Sequence, residues 1–124
     1  MATPLPSVLC VDDSEDILLI CRTILCRTIL EAGGYQVFTA SCSADTLELL
    51  RTHAMDAVII DNVMPGMTGF ELARAIRRTG DAIRVIMFSS TEHPDESFPF
   101  VDSYVSKGQG PIALRKTLGH LLRK

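Results

Sequence analysis

The chain has 124 residues, 47% of them hydrophobic and 22% charged, with a formal net charge of −3. These figures describe one domain over residues 1–124 with enough apolar material for a core, and they argue against a nucleic-acid surface or a basic membrane-binding tail. No apolar run reaches the roughly 20 residues of a membrane span, and Met1 to Ser7 lacks the basic start of a signal peptide, so a cytoplasmic protein is expected.

Pro4 and Pro6 make residues 1–6 a disordered lead. Ser7 to Val11 reads as the first strand, apolar on both faces like a central parallel strand. Asp12-Asp13-Ser14 follows as a loop, and Ser14 or Asp13 can cap the next helix. That helix is predicted from about Glu15 to Ala32. Within it, Cys21-Arg22-Thr23-Ile24-Leu25 is repeated at once as Cys26-Arg27-Thr28-Ile29-Leu30. Five helical residues turn the chain by about 500°, roughly 140° past a full turn, so the insertion cannot keep one apolar face in register. Ten of the fourteen residues from Ile17 to Leu30 are apolar, cysteine included, and they surround the helix. The extra segment either lengthens the helix by about 7.5 Å, loops out, or buries its second face in a homodimer.

Gly33-Gly34 stops this helix. Tyr35 to Ala40 is the second strand, nearer an edge. Ser43 to Thr52 is a short amphipathic helix with Leu47, Leu49 and Leu50 inward. Asp56 to Ile60 is the third strand, ending at Asp61. Pro65, Gly66 and Gly69 punctuate the turn beyond it. Thr68 and Glu71 then have the spacing of a capping box for a helix from about Gly69 to Arg78. Ile83 to Phe88 is the fourth strand, ending in Ser89-Ser90-Thr91. Pro94 and Pro99 limit any helix between Glu92 and Phe100 to about one turn. Val101 to Ser106 is the fifth strand, ending in Lys107. The last helix is placed at Gln109 to Lys124, with Pro111 near its first turn and an apolar set of Ile112, Leu114, Leu118, Leu121 and Leu122. Strands alternating with helices in this way give an α/β fold, doubly wound around a parallel sheet.

Cys10, Cys21, Cys26 and Cys42 form no C-x-x-C pair, no histidine has zinc-ligand spacing, and all four read as reduced packing residues. His53, His93 and His120 stand away from the strand ends and read as surface. No dinucleotide fingerprint or P-loop is present.

Polar groups do collect at four strand ends: Asp12-Asp13, Asp61, Ser89 and Lys107. In a doubly wound sheet these ends are neighbours. Taken singly, each has an ordinary reading as a turn residue, cap or solvated side chain. Together they suggest chemistry. Clustered carboxylates repel one another, and a hard cation such as Mg2+ relieves that while keeping sites for phosphate oxygens. An acidic nucleophile, a cation, the Lys107 ammonium and the Ser89 hydroxyl are the components of phosphoryl transfer onto a carboxylate.

These residues resemble the receiver domain of two-component response regulators. The likeness covers nearly the whole chain and rests on Asp12-Asp13, on Asp61-Asn62-Val63-Met64-Pro65-Gly66-Met67-Thr68-Gly69, on Ser89-Ser90 and on Tyr104-Val105-Ser106-Lys107. It implies a flavodoxin-like five-stranded sheet in the order 2-1-3-4-5. It implies that Asp61 accepts a phosphoryl group from a histidine kinase or histidine phosphotransfer protein. Mg2+ would be held by Asp13, Asp61 and the backbone carbonyl of Val63, with Asp12 acting directly or through water. Ser89 would bind the transferred phosphoryl group, Lys107 would pair with it, and Tyr104 would change rotamer as Ser89 moves. Such a domain is a switch and not an enzyme, since it is its own substrate.

Three departures from the family pattern stand out. Lys107-Gly108 replaces the usual Lys-Pro, which frees the following loop. The fourth helix is short or absent. The duplication lengthens the first helix, which in the family contributes to kinase docking. The last two motivate an alternative, a degenerate receiver acting as a protein-binding or dimerisation module.

Overall fold

Three of the strand segments carry apolar residues at successive positions, 8–11, 57–60 and 85–88, which a strand tolerates only when both its faces are covered. In the computed structural model, which describes residues 6–17, 19, 35–61, 68–79, 82–89 and 100–122, these become β1 (Ser7–Val11), β3 (Ala57–Ile60) and β4 (Arg84–Ser89). They occupy the middle of a five-stranded sheet, with β2 (Gln36–Ala40) and β5 (Ser103–Ser106) at its edges. All four pairings are parallel and the order is β2-β1-β3-β4-β5, as the resemblance implies.

Alternation along the strands divides the core in two. Val8, Cys10, Ile59, Ile86, Phe88 and Val105 face the helix Pro111–Leu121 through Leu114 and Leu118. Leu9, Val11, Val58, Ile60, Val85 and Met87 face the helix Gly69–Thr79 through Leu72, Ala73 and Ile76, and the helix Ser43–Thr52 packs Leu47, Leu49 and Leu50 on the same side.

Hydrogen bonds fasten the amino-terminal edge of the sheet. Asp56 Oδ2 accepts the Ser7 N–H at 2.8 Å, and Asp102 Oδ2 accepts the Val85 N–H at 2.8 Å. Arg77 donates to the carbonyls of Ile83 and Phe100 and to Asp102 Oδ2, at 2.7, 3.2 and 3.0 Å. This clasp explains why β5 begins at Ser103 and not at Val101: the Asp102 side chain takes up the Val85 N–H that a longer strand would face, while Phe100 and Val101 pack against the sheet. Pro6, expected in the lead, is tied to the sheet by the Gln36 N–H, 2.9 Å from its carbonyl oxygen.

The last helix differs from the expectation in extent and in face. It starts at Pro111, because Gln109 is used in a preceding 3-10 turn, Lys107–Gln109. Ile112, expected inside, is 55% exposed, whereas Leu114 and Leu118, one turn apart, are fully buried.

Of the expected first helix, Glu15–Ile17 and Leu19 are helical; Ile17 packs on the core and Leu19 is exposed. The five-residue duplication at 21–30, with the homodimer contact that is one reading of it, and the 92–99 segment of the fourth helix lie outside the described residues. Cys10 and Cys42 form no disulfide among the described residues, and Cys21 and Cys26 fall in the duplication. Among the described residues no helix is long and apolar enough to cross a membrane.

Candidate functional site

The ladder of the sheet continues one residue past the strand ends, and this fixes the two innermost acids. The Asp61 N–H donates to the Val11 carbonyl at 2.9 Å, and the Asp12 N–H donates to the Ala40 carbonyl at 3.2 Å. Both residues are almost wholly buried, at 7% and 3% exposure, at the carboxyl edge of the sheet. Asp13, next in the chain, is exposed at the rim. Each of the three offers one carboxylate oxygen, and these oxygens all lie within 4.8 Å of one another.

Lys107 reaches into this cluster from the turn after β5. Its Nζ is 2.6 Å from Asp12 Oδ2 and 3.6 Å from Asp61 Oδ1. The other oxygen of Asp12, Oδ1, accepts the Ser14 N–H at 2.9 Å, and Ser14 Oγ in turn accepts the Ile17 N–H at 3.4 Å, so Ser14 is the cap of the helix that follows. A small hollow lies beneath the carboxylates, lined by Cys10, Val11, Asp12, Ile17, Ile59, Asp61 and Phe88. Its walls are mainly apolar, so charges above it are poorly screened and interact strongly.

Ser89 closes β4, is buried at 6% exposure, and pairs in register with Ser106 of β5. Tyr104 lies on the face covered by Gly69–Thr79. Its ring is 6.2 Å from that of Phe70, tilted by 52°. The structure therefore brings Asp12, Asp13, Asp61 and Lys107 together and places Ser89 at the end of the neighbouring strand. Val63, whose carbonyl the resemblance implies as a ligand, lies outside the described residues.

The donor set suits a hard divalent cation. Three carboxylates, two of them buried, stand against one ammonium, and oxygen-only ligands with open positions are what Mg2+ accepts.

The turn carrying Lys107 was not legible as part of the site. Ser106 Oγ accepts the Gly108 N–H at 3.1 Å, and Gln109 Oε1 accepts the Ser106 N–H at 3.0 Å. The signal was present, since Ser106-Lys107-Gly108-Gln109 has the Ser-x-x-Gln spacing of a capping box. An expected helix start at Gln109 overlaps that signal and obscures it.

Comparison with known proteins agrees with this geometry. Residues 8–117 match the family model of the response regulator receiver domain. The chain is 37% identical over 86 residues to the transcriptional regulatory protein AfsQ1 of Streptomyces coelicolor, covering 69% of this chain and 36% of AfsQ1. It is 34% identical over 112 residues to the response regulator UvrY of Escherichia coli, covering 85% of this chain and 49% of UvrY. It thus spans half or less of these relatives. Among solved structures, the response regulator TrrA of Thermotoga maritima, in complex with Mg2+-BeF, superposes with a TM-score of 0.78 at 29% identity, over 95% of this chain and all of that one. TrrA is also known in complex with the histidine kinase ThkA, and that copy superposes with a TM-score of 0.77 at 30% identity, over 95% and 99% of the two chains. The chain belongs to the response regulator receiver family.

Proposed function

We propose that this chain is a phosphoacceptor switch in which Asp61 takes a phosphoryl group from a phosphohistidine on a histidine kinase or histidine phosphotransfer protein. The observation that carries this reading is the convergence of Asp12, Asp13 and Asp61 within 4.8 Å, with the Lys107 ammonium among them. The kinase complex of TrrA supports the choice of donor.

An Asp61 carboxylate oxygen attacks phosphorus in line with the histidine nitrogen. The O–P bond forms, the P–N bond breaks, and the imidazole leaves. Lys107, 3.6 Å from Asp61, neutralises charge on the equatorial oxygens. Asp12, Asp13 and Asp61, with the Val63 carbonyl, are the residues that would hold Mg2+, which when bound adds the same kind of neutralisation. The phosphorylated side chain carries up to about two negative charges where the carboxylate carried one. Ser89, on the neighbouring strand end, supplies a hydroxyl to the new oxygens. Tyr104, two residues before Ser106 on the adjacent strand, would change rotamer as Ser89 moves toward those oxygens. The domain consumes itself as substrate, so it acts as a switch and not as a turnover enzyme. The greater length of AfsQ1 and UvrY supports an output carried by a partner or a further domain. The intact acid cluster favours this reading over a degenerate receiver used only for binding.

The test is incubation with acetyl phosphate and Mg2+, followed by intact-mass measurement. The protein is expected to gain one phosphoryl mass, to lose that gain in EDTA, and to lose it in Asp61→Asn. No gain, or an undiminished gain in Asp61→Asn, would overturn the assignment.

A further inference from the structure

We propose that Ser106 and Gln109 are positioning residues for phosphoryl acceptance: their reciprocal hydrogen bonds hold the turn from which Lys107 reaches Asp12 and Asp61. The proposal rests on the phosphoacceptor reading and adds a device that the reading does not require.

The sequence gives this turn little stiffness of its own. Lys107 is followed by Gly108, and Gln109 by Gly110, and glycine leaves the backbone more conformations to lose than any other residue. Lys107 itself has a long flexible stem. Yet its ammonium sits 2.6 Å from one buried carboxylate and 3.6 Å from the other. The bonds that close the turn lie around it. Gln109 Oε1 takes the Ser106 N–H at 3.0 Å and Ser106 Oγ takes the Gly108 N–H at 3.1 Å. The Gly110 N–H donates to the Lys107 carbonyl at 3.1 Å, and Gly110 adopts φ 88° to leave the turn. A Cβ at Gly108 would meet Ser106 Oγ at 3.4 Å, an ordinary van der Waals contact.

Ser106 and Gln109 are both exposed and belong to neither core cluster. Their contribution to global stability is therefore small, and their effect is concentrated on where the Lys107 backbone sits. Small displacements of a charged group at a reacting centre slow a reaction strongly.

The experiment measures the initial rate of phosphoryl gain from acetyl phosphate, at saturating Mg2+, in the full chain. Gln109→Ala and Ser106→Ala are each expected to slow it by about three- to tenfold, with thermal midpoint unchanged and Mg2+ affinity within about twofold, as the cation ligands hang from β1 and β3. Ser106→Thr, which keeps the hydroxyl, is expected to restore the rate. In a Lys107→Ala background neither alanine variant should slow the reaction further, because the turn acts through Lys107. Wild-type rates in both variants, an equal slowing in the Lys107→Ala background, or a loss of Mg2+ affinity that accounts for all of the slowing would overturn the proposal.

A wild-type chain that gains no phosphoryl group is a failure of the phosphoacceptor reading instead. The turn is then judged by the 15N resonance of Lys107 Nζ. Collapse onto the signals of solvent-exposed lysines in Gln109→Ala supports its positioning role, and an unchanged resonance refutes it.

Discussion

Both carboxylate oxygens of Asp12 have partners before any phosphoryl group arrives: Oδ1 accepts from Ser14 and Oδ2 from Lys107. Read from the sequence, Asp12 is a cation ligand and Lys107 a phosphoryl partner. In the folded chain they also serve each other. The residue types and their strand-end positions were legible, because an apolar run that stops at a carboxylate is a local pattern. The pairing was not, because it spans 95 positions and depends on strand order. Lys107→Met leaves a carboxylate that is 3% exposed without its ammonium. In EDTA this variant should unfold in urea with about 1–3 kcal/mol less stability than the wild type, since a buried charge loses its partner but keeps one N–H donor. Added Mg2+ should recover more stability in the variant than in the wild type, because the cation replaces a missing charge. Equal stability in EDTA would show that the pair contributes nothing to the fold.

Two elements with the same cap signature fared differently in the sequence reading. At the start of Gly69–Thr79, Thr68 Oγ1 accepts the Glu71 N–H at 3.1 Å and Glu71 Oε1 accepts the Thr68 N–H at 3.0 Å, the arrangement their spacing predicts. At Ser106 and Gln109 the same spacing is obscured, because the apolar period of the last helix extends its expected start back to Gln109. The Thr68 cap carries a pH dependence. The hydrogen bonds from Thr68, backbone first, hold the Glu71 carboxyl below its ordinary value. A carboxyl lowered in the folded state stabilises the protein above its unfolded pKa and loses that contribution as pH falls through the folded value. Urea midpoints of wild type and Glu71→Gln, compared from about pH 6 down to about pH 3 across the ordinary carboxyl range, should therefore converge as the solution becomes acidic. A gap that is constant with pH would assign the effect of Glu71 to something other than its charge.

Over the whole molecule, the sheet keeps its chemistry at one edge and its fastening at the other. Asp12, Asp61 and Lys107 sit just past the carboxyl ends of the strands and Ser89 at the end of β4, while Asp56, Arg77 and Asp102 hold the amino ends. Alternation of apolar strands with amphipathic helices made the layers legible. It did not fix the rotation of the last helix, where Ile112 and Leu114 looked equally apolar and only packing against Ile86 and Phe88 separates inside from outside. Leu114→Ala should cost about 2–5 kcal/mol by opening a cavity in the core, and Ile112→Ala less than about 0.5 kcal/mol at the surface. Chemical denaturation checks both, and similar losses would contradict the observed face.

Asp12 and Asp61 hang from ladder hydrogen bonds to Ala40 and Val11, not from the packing of a loop. Their mutual orientation is thus inherited from the alignment of β2, β1 and β3. A designer could rebuild the connecting segments freely and keep two opposed carboxylates, provided that alignment survives. A slip of a single residue would turn the acids toward opposite layers of the domain, and no choice of loop would bring them back.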